Sequence, residues 1–372
     1  MQNRTNLSFY SPRPTPSARS KQSSFHVTRR LAEFARSKIS ILLFLALASS
    51  AFVGLGCTSS TSATVFMVVD NVAWLPSESA LIALVEKQTV SALDNSISYT
   101  VGLYNFGADG SLGSVMGPGD VVEAYWNSAV LSLSNDGSTA YVQLGASIYR
   151  VNIHDNTTTK LVQTAALLGV SPDSKYIIST DASPTDRAPV YTIYDVSANP
   201  VRRVRQFTPP NIINNRCLWI DGGTFVVTSS DSAGSNISVW DTNGTILHTY
   251  PNAEAPLAAS AYASSSHDLF VRNNSRGIDR INILTNVRTA VVSQDSVESF
   301  DASRDGTLLA YSSGKVAQPY ALFAVNTQNG HSASIGSDAF QPMISPNGDR
   351  VAFIHNASPN RDVKVLGISI PN

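Results

Sequence analysis

From Thr64 onward, short apolar runs alternate with polar turns, and no helix-length window keeps a 3.6-residue hydrophobic period. Four of the turns share one phrase: Ser134-Asn-Asp-Gly-Ser, Ser171-Pro-Asp-Ser-Lys, Ser303-Arg-Asp-Gly-Thr and Ser345-Pro-Asn-Gly-Asp. Each is followed by an apolar run, beginning at Ala140, Tyr176, Leu308 and Val351. Asp-Gly or Asn-Gly between two such runs is a tight hairpin signal, because both residues tolerate positive φ. Weaker copies begin at Leu75, Ile220 and Ser264. The seven anchors recur with a mean spacing of 45 residues, the period of a four-stranded propeller blade.

Within each unit a third run ends in an aromatic or aliphatic residue followed by Asp or Asn, as at Tyr104-Asn105, Tyr194-Asp195, Trp240-Asp241 and Val325-Asn326. A further turn and a fourth short run follow. The pattern predicts an all-β fold, a seven-bladed β-propeller of four-stranded antiparallel blades over residues 64–370. The last unit offers only three runs, so residues 64–69 are expected to supply the outer strand of the seventh blade and close the ring. The turn phrases at 171–174 and 345–348 resemble the WD40-like propeller repeats of the C-terminal domain of TolB and related bacterial proteins. That resemblance implies the fold and carries no function.

Charge separates the chain into two unlike parts. Residues 1–57 hold eight Lys/Arg and one acid, Glu33, leaving a net charge of −8 for the remainder of a chain whose total is −1. Ile39 to Gly56 is uncharged and mostly apolar, and the polar linker 58–63 follows Cys57. A basic lead, an apolar core and small residues before a cut point make an export signal. Gly54-Leu-Gly-Cys57 resembles the bacterial lipoprotein cleavage site, which implies acylation at Cys57, a membrane anchor, and a body facing the periplasm or exterior; the alternatives are an uncleaved apolar segment that itself anchors the chain and a simply cleaved signal, and all three export the body. Cys217, in a short apolar run, reads as a buried small hydrophobe. Only 14% of residues are charged, and Asp (21) far outnumbers Glu (6), in keeping with a turn-rich chain and against nucleic-acid binding by bulk positive charge.

The familiar contiguous enzyme motifs are absent: no Gly-x-Ser-x-Gly elbow, no phosphate-cradling loop, no HExxH, and no Cys/His spacing for zinc. The expectation is therefore a non-catalytic, monomeric binding scaffold of the cell envelope, with no metal and no cofactor. A lactonase- or lyase-like enzyme and a small-ligand or sugar sensor are the alternatives. The polar links expected between second and third strands are Thr180–Pro189, Ser229–Asn236, Arg272–Asp279, Ser313–Pro319 and His355–Asp362. They put Asp186, Arg187, Asp231, Arg272, Arg276, Lys315, Arg361 and Asp362 on one rim. Loops on a rigid scaffold are where binding groups usually sit, and arginines there suit an envelope protein or a small anionic ligand through bidentate pairing. The stretch Val201–Phe207, with Arg202, Arg203 and Arg205, reads as an edge strand protected by charge.

Overall fold

The structure, a computed structural model, describes residues 63–372 except 95, 123–129, 164, 182–189, 209–216, 232–233, 252–259, 274, 294–295, 315–318, 357–359 and 371–372. The export segment, with Cys57, lies outside the described residues.

The described residues form strands only, arranged as seven antiparallel sheets in chain order. Blade 1 contains β1 (Thr64–Trp74), β2 (Ala80–Val90), β3 (Ile97–Gly107) and β4 (Leu112–Val122). Blade 2 contains β5 (Leu131–Leu133), β6 (Thr139–Leu144), β7 (Ser147–Asn152) and β8 (Thr158–Gln163). Blade 3 follows with β9 (Ala165–Val170), β10 (Tyr176–Asp181), β11 (Tyr191–Asp195) and β12 (Arg202–Phe207). Blade 4 is β13 (Leu218–Trp219), β14 (Thr224–Asp231), β15 (Gly234–Asp241) and β16 (Ile246–Pro251). Blade 5 is β17 (Ser260–Ala263), β18 (Asp268–Arg272), β19 (Ile278–Asn282) and β20 (Arg288–Val292). Blade 6 is β21 (Val297–Ala302), β22 (Leu308–Ser313), β23 (Ala321–Asn326) and β24 (Ser332–Gly336), and blade 7 is β25 (Ala339–Ile344), β26 (Arg350–His355) and β27 (Asp362–Gly367). This is the seven-bladed propeller the repeat predicts.

All seven anchor phrases fall between the first and second strands of their blades. Their shared residues explain why they recur. In blade 2 the Ser134 hydroxyl donates to Asp136 Oδ1 (2.6 Å) and accepts from the Thr139 amide (3.0 Å). Ser171 with Asp173 and Ser303 with Asp305 repeat both contacts, and in blade 7, where Asn347 replaces the aspartate, Asp349 accepts the hydrogen bond from the Ser345 hydroxyl. The fourth residue of the phrase is left-handed, with φ of 70° at Gly137, 73° at Gly306 and 78° at Gly348, where a side chain would be strained. At the far end of the third strands, Asn152, Asp195, Asp241, Asn282 and Asn326 each accept a backbone N–H two residues on, fixing the next turn.

The core is divided among the blade interfaces. The buried apolar residues fall into seven clusters, each shared by two adjacent blades, including one between blades 7 and 1. The strands hold this arrangement because alternate residues serve the two neighbours: Val142 packs toward blade 1 while Tyr141 packs toward blade 3. Cys217 is buried at the interface of blades 3 and 4, and burial pushes its thiol pKa up. β12 is the exposed outermost strand of blade 3, as the arginine pattern predicts.

The seam differs from the expectation. Residues 64–69 do not complete blade 7; they belong to the eleven-residue β1, which pairs with β2, and blade 7 keeps three strands. β1 pairs with β2 from Thr64↔Val90 to Trp74↔Leu81, with one bulge at Asp70, so the run 64–69 is taken up in the inner hairpin of blade 1. The seam is instead sealed by side chains and one bridge. Trp74 Nε1 donates to the Met343 carbonyl (3.0 Å), the Arg350 guanidinium lies 4.9 Å from the Trp74 ring centroid, and Arg350 pairs with the buried Glu78 at 2.8 Å. On the other rim, Arg361 and Val68 form a parallel bridge.

The propeller thus has two unlike rims. The first carries the Ser–Asp turns and is termed the turn rim. The second carries the links between second and third strands and the connections between blades, and is termed the loop rim.

Candidate functional site on the loop rim

On the loop rim, blades 5, 6 and 7 bring several of the candidate side chains together. The link after β18 is an Asn-anchored turn: Asn273 Oδ1 accepts the amides of Ser275 (3.0 Å) and Gly277 (2.9 Å), while its Nδ2 donates to Asp279 Oδ1 (2.8 Å). Asp279 is also held by Arg288 Nε at 2.6 Å. Gly277 has no space for a Cβ, which would collide with the Val292 carbonyl. These restraints hold Arg276 in the left-handed region (φ 61°), where its carbonyl accepts from the Val297 amide at 2.9 Å. Non-glycine residues in this region cluster at ligand sites when the surrounding structure holds them there. Ser296 (φ 48°), Asp338 (φ 55°) and Gln341 (φ 46°) share this conformation and lie near the starts of β21 and β25.

Two of the candidate arginines converge on one acid. Arg276 Nη1 lies 3.5 Å from Glu298 Oε1, and Arg272 Nη1 lies 3.8 Å from Glu298 Oε2. They differ in exposure. Arg276 is half exposed, whereas Arg272 is buried in β18 and donates to the Val297 carbonyl at 3.0 Å. Arg272 therefore positions the blade 5–6 connection that carries Glu298, and Arg276 faces solvent. Tyr320 sits within electrostatic reach of both Glu298 and Arg276; burial, then the Glu298 charge, pushes its phenol pKa up, and Arg276 partly offsets this. Its ring meets Phe340 edge-on at 4.6 Å, and the Arg361 guanidinium lies 5.8 Å from the Phe340 centroid. Arginine, aromatic pair and arginine thus run across three blades.

The other candidates are placed as follows. Asp362 accepts from Lys364 (3.0 Å) and approaches His355 Nδ1 (3.0 Å), so its carboxylate is engaged by its neighbours on β26 and β27. Asp231 ends β14, but its side chain, like Asp186, Arg187 and Lys315 entirely, lies outside the described residues. The expected link Ser229–Asn236 is mostly strand, since β14 and β15 pair as far as Asp231↔Gly234; small polar residues there still satisfy the backbone ladder. Glu298 and Phe340 lie at the starts of β21 and β25, and Tyr320 lies one residue past the expected link Ser313–Pro319, so no polar link in the sequence points to them. Among the described residues, no group of three or more His, Cys, Asp or Glu side chains is placed to hold a metal ion.

No protein-family model matches the chain, and neither does any curated protein. Solved structures do. An oligogalacturonate lyase in complex with manganese aligns with TM-score 0.58 at 12% identity, covering 82% of this chain and 91% of that one. An oligogalacturonate lyase from Vibrio parahaemolyticus aligns with TM-score 0.57 at 10% identity, covering 84% and 92%. TolB from Acinetobacter baumannii aligns at 0.47 with 12% identity, covering 73% of this chain and 74% of that one. At these identities the likeness is one of fold. It nevertheless overturns the expectation that the chain is not an enzyme, because that expectation rested on missing motifs and this ring also serves lyases. A contiguous motif is a poor test for a site on a propeller rim, where Arg276, Glu298, Tyr320 and Arg361 come from separate loops and strand starts.

Proposed function

We propose that the chain is an exported, lipid-anchored propeller of the cell envelope that binds a carboxylate-bearing ligand on the loop rim of blades 5 to 7. The observation that carries this reading is Arg276: a solvent-facing guanidinium held in a strained backbone conformation by an Asn-anchored turn, with a long 3.5 Å contact to Glu298. A ligand carboxylate takes up the donors that Glu298 engages only weakly, and a carboxylate–guanidinium pair is well suited to bidentate geometry. The Tyr320–Phe340 pair offers an apolar platform beside it, and Arg361 a second cation for a ligand with more than one carboxylate.

Oligogalacturonate is the first ligand to test, since it carries a carboxylate on every sugar and names the enzymes of like fold. Saturable binding is expected, weakened about tenfold by Arg276→Gln, the loss of one charge-assisted contact. Equal affinity in the variant would sink the reading. The same mixture, followed for the unsaturated product of an elimination, separates a binder from a lyase. For the anchor, Cys57→Ala is expected to abolish incorporation of labelled palmitate and to release the propeller from membranes.

A further inference from the structure

On the face each blade turns to the next, one cross-strand pair is apolar in four blades and mixed in two, with Ile82 opposite Asn105 in blade 1 and Phe270 opposite Arg280 in blade 5; in blade 2 both members carry polar groups. At the equivalent cross-strand pair, blades 3, 4, 6 and 7 each place two apolar residues: Ile178 opposite Ile193, Val226 opposite Val239, Ala310 opposite Ala324, and Ala352 opposite Val365. Blade 2 places Tyr141 opposite Arg150, and Arg150 in turn opposite Thr159. One register step away, Thr139 faces Asn152. Together with Thr157 these residues line a cleft of about 320 Å³ in which every side chain is polar. That volume is at the lower end of small-molecule sites, which run from about 300 to 1,000 Å³.

The groups in the cleft are fixed and rich in donors. Tyr141 is buried, and its hydroxyl donates to the Ser174 carbonyl of blade 3 at 3.2 Å. Arg150 is half-buried and reaches the Val196 carbonyl with one N–H at a long 3.4 Å. No carboxylate among the described residues pairs with Arg150, and no described acceptor takes its other guanidinium donors. Asn152 spends its oxygen on the amides of His154 and Asp155, which leaves its NH₂ group available. The acids within electrostatic reach of Tyr141 are engaged in their own turns, Asp136 with Ser134 and Ser138 and Asp173 with Ser171 and the Lys175 amide, and Asp155 is held by Thr157. A guanidinium held between two blades with donors to spare is a site for an oxyanion, and the surrounding hydroxyl and amide groups suit a ligand that also carries hydroxyls.

We propose that this cleft binds a small hydroxylated carboxylate the size of a single sugar acid, with Arg150 holding the carboxylate and Asn152, Thr139 and Thr159 meeting the hydroxyls. The site is independent of the loop rim: its lining is blade 2 alone, with Tyr141 and Arg150 anchored to carbonyls of blade 3. The test is calorimetric titration of the full chain, in phosphate-free buffer, with D-glucuronate, D-glucose and inorganic phosphate. Glucuronate is expected to bind saturably and the other two at least tenfold more weakly. Arg150→Gln is expected to weaken glucuronate at least tenfold with the unliganded Tm unchanged, Thr159→Val to weaken it several-fold, and the rim variant Arg276→Gln to leave it intact. No saturable glucuronate binding, or equal binding of glucose, overturns the proposal. Equally tight phosphate makes the cleft a plain oxyanion site and also overturns it. Loss of binding in Arg276→Gln but not in Arg150→Gln would move glucuronate to the rim, against this site and in favour of that one. Should Arg150→Gln fail to fold, unchanged affinity in Thr159→Val is the overturning result.

Discussion

The two rims of the ring are built on opposite principles. On the turn rim one device recurs: a serine whose hydroxyl joins an aspartate to the next strand, at Ser134, Ser171, Ser303 and, with a relocated acid, Ser345. On the loop rim nothing recurs. The links between second and third strands range from two residues, Gly145-Ala146, to the nine between β10 and β11. The turn rim carries the instructions for folding each blade, and the loop rim is free to differ from blade to blade, which is what recognition requires. Breaking the turn rim should cost stability; altering the loop rim should cost binding and little else.

The largest effect is expected where the turn rim also closes the ring. Trp74 is the last residue before the first turn, is buried between blades 1 and 7, and donates to Met343. Trp74→Ala should destabilise the propeller by about 3–5 kcal/mol, read as a drop in the urea midpoint. Loss of less than about 1 kcal/mol would mean that the blade 7–1 seam contributes little and that the three-stranded blade is held by other means.

The next effect sets the rims directly against one another. Ser303 is buried, donates to Asp305, and accepts from Leu308. Ser303→Ala leaves that amide without its partner and should cost about 1–2 kcal/mol. Arg276→Gln, on the half-exposed loop rim, should stay within about 0.5 kcal/mol of the parent. Equal costs in denaturation would erase the distinction.

How far each rim could be read from the sequence follows from the same contrast. Four of the seven anchors were plain because the contact between serine and acid is local: the residues that make it are within five positions of one another, so the phrase and the structure are nearly the same statement; the other three followed from their spacing. The outer-strand position of β12 was readable because charge on a strand has few other uses. The seam was not, because Trp74–Met343 and Glu78–Arg350 join residues some 270 positions apart, and the apolar run 64–69 suits an inner strand as well as an outer one. On the loop rim, Arg276 could be found as a charge in a polar link. Its Glu298, and the Tyr320–Phe340 pair beside it, are brought near only by the ring.

A smaller effect should appear with pH at the junction of blades 6 and 7. Asp301, on β21, accepts the Ile344 amide of β25 at 2.9 Å. Burial pushes its carboxyl up to about 6, against the pull of that amide and of Ala302. The folded protein therefore holds this proton more tightly than the unfolded chain, whose aspartate titrates near 4. Stability contributed at this site is highest below about pH 4, falls as pH rises to about 6, and is flat above. Asp301→Asn keeps an acceptor and removes the titration. The difference in unfolding free energy between parent and variant should change over that window and nowhere else. A constant difference from pH 4 to 7 would show that Asp301 does not carry the slope.

The smallest effect returns to the turn rim and asks how strictly its device is specified. The left-handed fourth place is glycine in blades 2, 6 and 7, but Ser174 occupies it in blade 3 with φ 58°, and its buried hydroxyl has no partner among the described residues. Its carbonyl, not its side chain, receives Tyr141. Ser174→Gly thus removes a strained conformation and an unsatisfied hydroxyl while keeping the one contact the position makes. The gain is reduced by the extra freedom glycine brings to the unfolded chain, so the net should be a stabilisation of about 0.5–1 kcal/mol. At Arg276, left-handed as well, the matching Arg276→Gly should relieve the same strain yet weaken rim binding about tenfold, as Arg276→Gln does. If both substitutions stabilise and only the second weakens binding, the strain on the turn rim is incidental and the strain on the loop rim serves recognition.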